Sequence, residues 1–207
     1  MQQQSHKKMH DTINGTVGLV VCGGKSVRMG TDKSQLNYHG RSQRTHLFEL
    51  ISPFCEKVFL SLNQHQAQTY NDIYPIIADT EETTAIGPMA ALINAYRLFP
   101  GKDLLLIGCD YPYLNEHVLK TFMESVEMTG RTTAFYNSSA GLYEPLLAFY
   151  HAGDCSHILK QFEQMNYSLQ FFLKSILADR FYPSEPDSII SVDTREAYWQ
   201  AKGSIVI

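Results

Sequence analysis

The chain has 207 residues, a size at which one sizeable hydrophobic core is expected. Seventeen basic against 21 acidic residues leave a net charge of −4. That balance excludes a basic stripe for a nucleic-acid backbone and a polybasic membrane patch, so any phosphate contact must come from a few local cations and backbone amides.

The amino-terminal MQQQSHKKMHDT is polar and has no apolar core of a signal peptide; residues 1–14 read as a disordered tail ahead of one domain, 15–207. No apolar run approaches a membrane span, and a soluble, cytoplasmic protein is expected. Val17 to Cys22 is a continuous, partly β-branched apolar run, the pattern of a strand buried on both faces. Gly23 and Gly24 end it, and the polar, basic KSVRMGTDKSQL comes next. A helical pattern surrounds His46 to Phe54, KVFLSL at 57–62 is a second strand, Tyr74 to Ile77 a third, and DLLLIG at 103–108 a further buried one.

Gly87-Pro88 opens a helix over Met89 to Phe99. Asn115 caps another, with Val118, Leu119, Phe122 and Val126 on one face. TTAFY and YEPLLAFY read as two strands, two helical stretches surround Leu159 to Leu177, and a short IISV run at 189–192 precedes a last helix containing Tyr198 and Trp199. Alternating strands and helices predict an α/β, Rossmann-like, doubly wound and mostly parallel sheet with helices on both faces.

In such a sheet ligands bind beyond the carboxyl ends of the strands. Those ends carry Gly23, Gly24, Lys25, Ser26, Arg28, Gly30, Asp32 and Lys33, then Asn63, Asp79, and Cys109-Asp110. Glycines let backbone N–H groups approach an anion without Cβ obstruction, and Arg28 and Lys33 can neutralise a triphosphate. Asp110, fixed after a buried strand by Tyr111-Pro112, can hold a Mg²⁺ ion that bridges phosphates, or it can simply cap a turn. Asp79 and Asp193 are weaker candidates, because loop aspartates are commonly turn formers. Gly24-Lys25-Ser26 imitates the tail of a P-loop, but the required first glycine is Leu19, and G-x-G-x-x-G is absent. Cys22, Cys55, Cys109 and Cys155 form no C-x-x-C pair or zinc template; they and the eight histidines read as structural residues.

The stretch VVCGGKSVRMGTDKSQL, 20–36, closely resembles the LAGG-x-S-x-RMG-x-DK loop of the molybdenum cofactor guanylyltransferases, members of the nucleotide-diphospho-sugar transferase-like superfamily. The resemblance continues through VFLSLNQHQAQTY (58–70), D-x₇-GPMAAL (79–92), LLLIGCDYPYL (104–114) and YEPLLAFY (143–150). It implies transfer of GMP from GTP to molybdopterin with release of pyrophosphate, with Mg²⁺ as cofactor and transient contacts with other cofactor-biosynthesis proteins. It places Val21, Cys22 and Gly23 along guanine and ribose, and Gly24 near the phosphates. Ser61, Asn63 and Asp79 would help hold the nucleoside, Arg28 and Lys33 would stabilise triphosphate charge, and Asp110 would bind the metal. Because the attacking group is already an anionic phosphate, no Ser–His or Cys–His dyad is expected.

Two positions depart from the family pattern. Cys22 stands where alanine is usual, and Ser191-Val192-Asp193-Thr194-Arg195 replaces N-x-N-T-P. Asp193 either substitutes as an oxygen ligand or marks a changed acceptor. Glu144 and the region 137–175 are assigned to the acceptor side by chain position alone. Rival readings are a cytidylyl- or sugar-phosphate nucleotidyltransferase, and a nucleotide-binding module without catalysis.

Overall fold

The computed structural model describes residues 15–23 and 32–205. The expected tail at 1–14, and Gly24 and Arg28, lie outside the described residues. Seven strands among the described residues form one sheet: β1 (Thr16–Val21), β2 (Lys57–Leu62), β3 (Ile76–Ala78), β4 (Asp103–Gly108), β5 (Thr133–Asn137), β6 (Leu142–Tyr150) and β7 (Asp179–Phe181). Their spatial order is β3-β2-β1-β4-β6-β5-β7. β1 pairs in parallel with β2 and β4, β2 with β3, and β5 with β7, whereas β6 runs antiparallel to both its neighbours. The sheet is thus the mostly parallel α/β arrangement that the alternating pattern predicts, with one reversed strand inside it.

Every residue of β1 is buried, as its central place between β2 and β4 demands. Alternate side chains feed two separate cores. Val17, Leu19, Val21, Leu104, Leu106, Ala148 and Tyr150 pack on one face against α3 (Met89–Leu98), α5 (Cys155–Glu163) and α6 (Leu169–Ser175). Val20, Val58, Leu60, Leu105, Ile107 and Phe149 pack on the other against α1 (Gln43–Ile51) and α4 (Glu116–Thr129). The layers result from the two-residue period of a strand.

Helix α4 begins as the sequence indicates. The Asn115 side chain accepts from Val118 N at 3.0 Å, and Gly130 closes the helix with a left-handed φ of 63°. Val118, Leu119, Phe122, Met123 and Val126 are its buried stripe. Helix α1 starts earlier than the pattern around His46 suggests, because Ser42 caps it at Thr45 N; the chain from Ser52 to Phe54 is a 3-10 turn started by Pro53.

Three elements differ from expectation. A short helix α2 (Gln64–Gln68) comes after β2, opened by a reciprocal capping box between Asn63 and Gln66. β7 is a three-residue edge strand with the sequence DRF, too short and too charged to show a strand pattern. The IISV run joins no strand. Pro186–Ile189 is a 3-10 turn, and Val192 instead buries itself with Tyr38 and Ala201 in a small third core. Helix α7 (Arg195–Ser204), capped by Thr194, rests on that core. The last residues thereby return to the carboxyl end of β4, where Val192 N donates to the Asp110 carbonyl at 2.8 Å. No helix among the described residues is long and apolar enough to cross a membrane.

Candidate active site at the carboxyl edge of the sheet

A cleft of about 750 Å³ opens beyond the carboxyl ends of β1, β2 and β3. Val21, Gly23, Ser61, Asn63 and Asp79, all chosen from sequence, line it together. Its other wall was not foreseen: Gln64 and His65 of α2, Thr84 and Ala85, Gly87-Pro88, and Ala90 and Ala91 at the start of α3. The alanines keep that wall low. Gly87 adopts a φ of +65°, a conformation side chains rarely take, and its carbonyl accepts from Ala90 N at 3.0 Å. Buried Thr83 ties the wall to α3 by a hydrogen bond to Asn94 at 3.1 Å and accepts from Thr80 N at 2.9 Å.

Cys22 does not line the cleft. Its side chain lies in the opposite core, with Sγ 3.3 Å from the Cys109 sulfur at the end of the neighbouring strand. The Gly23 N–H is also engaged, since it and the Cys22 N–H both donate to the Ser61 carbonyl, at 3.2 and 2.9 Å. Of the glycine pair, the described member therefore offers its N–H to β2 rather than to an anion.

Gln66 is a residue that sequence reading missed. Its Nε2 donates to the Cys22 carbonyl at 3.1 Å and to the Asp32 carboxylate at 2.9 Å, while its Oε1 accepts from Asn63 N at 3.1 Å. One amide thus fastens the residues on either side of the segment 24–31 to the end of β2. The signal was the N-x-x-Q capping box, Asn63 to Gln66. Asp32 caps the 3-10 turn Lys33–Gln35 through its other oxygen, which accepts from Ser34 N at 2.9 Å. That turn aims Lys33.

Lys33 forms an ion pair with Asp193. Asp110 feels their charges: burial above all raises its pKa, its own backbone N–H and then Lys33 draw it down, and Asp193 and Glu144 raise it. The sequence-based pairing of Lys33 with Asp110 therefore meets in space across some 77 positions of chain, and the carboxyl-terminal strap adds Asp193. Asp110 Oδ1 is buried and has no hydrogen-bond partner among the described residues. A Cβ on Gly108 would come within 2.6 Å of that oxygen, so glycine at the end of β4 is what lets the carboxylate fold back over the strand. Burial, the largest influence, pushes Asp110 up to about 6.

A buried anionic oxygen lacking a donor is costly, on the order of 1–3 kcal/mol or more. A cation is the partner that removes that cost, so the orphaned oxygen fits a divalent metal. No group of three His, Cys, Asp or Glu side chains that could hold a metal occurs among the described residues. One carboxylate is the donor set of a hard cation that takes its remaining ligands from water and substrate phosphates.

Asp79, half-buried at the cleft, is likewise pushed up to about 6 by burial. Its folded pKa exceeds the ordinary 3.8, so the native state holds more protons between the two values. Stability in the absence of ligand therefore falls as pH rises from about 4 to about 6. Asp79→Asn is expected to match the wild-type melting temperature at pH 4 and to exceed it at pH 8. A melting-temperature difference that is the same at both pH values would reject the assignment.

A cleft over the first half of an α/β sheet, flanked by a lysine and an orphaned carboxylate at the end of β4, defines a nucleotidyltransferase. The sequence profile of the MobA-like NTP transferase domain matches residues 18–180, and the chain belongs to that family. It is 35% identical over 134 residues to a molybdenum cofactor biosynthesis bifunctional protein of Synechocystis, a match that takes in 64% of this chain and 38% of that longer protein. It is 24% identical over 190 residues to a molybdenum cofactor guanylyltransferase of Shewanella putrefaciens, covering 86% of this chain and 91% of the relative. The crystal structure of molybdopterin-guanine dinucleotide biosynthesis protein A from Archaeoglobus fulgidus superposes with a TM-score of 0.70 at 19% identity, over 91% of this chain and 97% of that one. At that identity the superposition speaks for the fold.

Proposed function

We propose that the protein transfers GMP from GTP to molybdopterin, releasing pyrophosphate and forming molybdopterin guanine dinucleotide. The observation that carries this reading is the juxtaposition of the nucleoside-sized cleft at β1–β3 with Asp110 at the end of the next strand, a carboxylate on which the ion-paired Lys33 acts. The acceptor phosphate attacks the α-phosphorus of GTP, the bond to the bridging oxygen of the β-phosphate breaks, and pyrophosphate leaves. Such transfers rest on positioning and charge neutralisation rather than on a protein nucleophile.

In this reading Val21, Gly23 and Ser61 border the nucleoside, and Asn63, whose Oδ1 is committed to capping α2, turns its amide nitrogen to it. The Asp79 carboxylate suits guanine, whose N1–H and N2 amino group are adjacent donors; cytosine presents a single amino group. Cys22 acts through its backbone. Lys33 leaves Asp193 for the triphosphate, with Arg28 and Gly24 assigned to the same phosphates by the resemblance. Asp110 would hold Mg²⁺, which would supply neutralisation of phosphate charge in the transition state. Cysteines left unbridged, including the adjoining Cys22 and Cys109, suit a reducing cytoplasm.

The test is transfer under competition. Purified protein given molybdopterin, Mg²⁺ and equimolar GTP and CTP is expected to yield the guanine dinucleotide in large excess. A cytosine dinucleotide as the main product would overturn the guanine assignment, and no dinucleotide of either kind would overturn the activity.

A further inference from the structure

The cleft and Asp110 occupy β3, β2, β1 and β4; the carboxyl edge of the other half-sheet holds Glu144, assigned to the acceptor side by chain position alone. Because β5 and β7 run parallel to β4 while β6 is reversed, the end of β5, the start of β6 and the end of β7 all face the same edge as Asp110. Four side chains gather there. Tyr136 and Tyr143 are cross-strand partners whose rings meet edge to face at 5.3 Å. Tyr182 meets Tyr136 at 5.6 Å. The Arg180 guanidinium lies 4.4 Å from the centroid of Tyr136 and 5.8 Å from that of Tyr143.

Tyr143 belongs to, and Tyr136 packs against, the core face shared by Val21, Ala90 and Ala91, so the cluster lies on the same side of the sheet as the nucleoside cleft. Tyr143 is buried, which fixes the base of the group, whereas Arg180 is exposed and Tyr182 is 55% exposed. No carboxylate among the described residues pairs with Arg180, whereas Arg41, Arg44, Arg97 and Arg131 each have an acidic partner; the guanidinium bonds instead to the side chains of Tyr143 and Tyr182. A chain of hydrogen bonds leads from this cluster toward the metal carboxylate: Asn137 Nδ2 donates to Glu144 at 3.3 Å, and the hydroxyl of Tyr111, next to Asp110, donates to the same carboxylate at 2.8 Å.

We infer that Tyr136, Arg180 and Tyr182, set on buried Tyr143, form the surface that holds the planar heterocycle of the acceptor while its phosphate reaches Asp110. The inference rests on the proposed transfer to a pterin phosphate and names the acceptor half of that site. Aromatic rings and a flat guanidinium without a carboxylate partner among the described residues favour a flat, electron-rich ring by stacking and hydrogen bonding to its carbonyl and ring nitrogens. The spacing agrees. From β4, β5 is two strand intervals away, about 10 Å, and β7 three, about 14 Å. A terminal phosphate joined through a few bonds to a bicyclic ring spans on the order of 10 Å. Nucleoside and heterocycle would then lie on opposite sides of Asp110, which is the order of groups in the product.

The two exposed side chains make the test. For Arg180→Ala and Tyr182→Ala, the Kd for molybdopterin, measured by calorimetry, is expected to rise about tenfold, while the Kd for GTP and the turnover at saturating acceptor stay within about twofold. Tyr182→Phe, which keeps the ring, is expected to bind as wild type. Unchanged molybdopterin affinity in both alanine variants would overturn the inference and leave Arg180 as a charge that guards an edge strand. Wild-type protein that binds molybdopterin but transfers no GMP would sink the proposed activity, and the variant affinities would still decide the role of the cluster. Wild-type protein that fails to bind molybdopterin would overturn both.

Discussion

Asp110→Ala is expected to fold normally and to lose turnover by roughly a thousandfold or more, the scale seen when a principal charge-stabilising group is removed from a transfer site. The expectation of normal folding has its own physical basis. In the protein without ligand, Asp110 Oδ1 is buried without a donor among the described residues, and burial raises the pKa of the carboxyl to about 6. At neutral pH the native state therefore carries a desolvated charge that the unfolded chain does not. Removing it is expected to leave the melting temperature at pH 8 equal to or above that of wild type. High stability joined to lost catalysis separates a functional carboxylate from a turn former, whose loss would lower stability and spare the reaction. Wild-type Mg²⁺-dependent turnover in the variant would remove Asp110 from the mechanism.

Lys33→Ala carries the second large effect, about a hundredfold in turnover at limiting GTP. Among the described residues Lys33 is the cation that pairs with Asp193 and acts on Asp110, and its removal leaves both carboxylates without it. GTP binding weakens because the triphosphate meets a negative site. Unchanged kinetic constants would exclude Lys33. Asp193→Asn is the companion variant. It removes the charge that competes with the triphosphate for Lys33, so GTP affinity is expected to rise or hold, whereas a ligand role for Asp193 would make it fall.

How far these positions could be read from sequence depended on how local their signals are. β1 and β4 announce themselves because a strand buried on both faces must be apolar throughout, and Gly23, Asn63, Asp79 and Asp110 are found by taking the residues just past the carboxyl end of each strand. Helix α4 is legible from Asn115, its apolar stripe and Gly130. β7 is not, since three residues with two charges show no alternation and acquire strand structure only by pairing with β5.

The site divides in the same way. The sequence names the residues but cannot say that Cys22 turns its sulfur to the far core while Val21 and Gly23 border the cleft. The wall made by Thr84, Ala85 and Ala90 depends on the buried Thr83–Asn94 hydrogen bond, and the Gln66 tether on a contact spanning 44 residues. The pairing of Asp193 with Lys33 depends on the carboxyl-terminal strap returning to β4, anchored by Val192. Of these only the Gln66 tether leaves a local trace, the N-x-x-Q capping box. The resemblance located the chemistry, and tertiary contacts supply its geometry.

The most direct measurement tracks the α-phosphorus itself. GTP labelled there is incubated with the protein, molybdopterin and Mg²⁺, and the products are separated. All label is expected in the pterin dinucleotide, with unlabelled pyrophosphate formed in equal amount and both absent when Asp110 is replaced by alanine. Label left wholly in GTP by folded protein, or label recovered in a product that contains no pterin, would contradict nucleotidyl transfer to this acceptor.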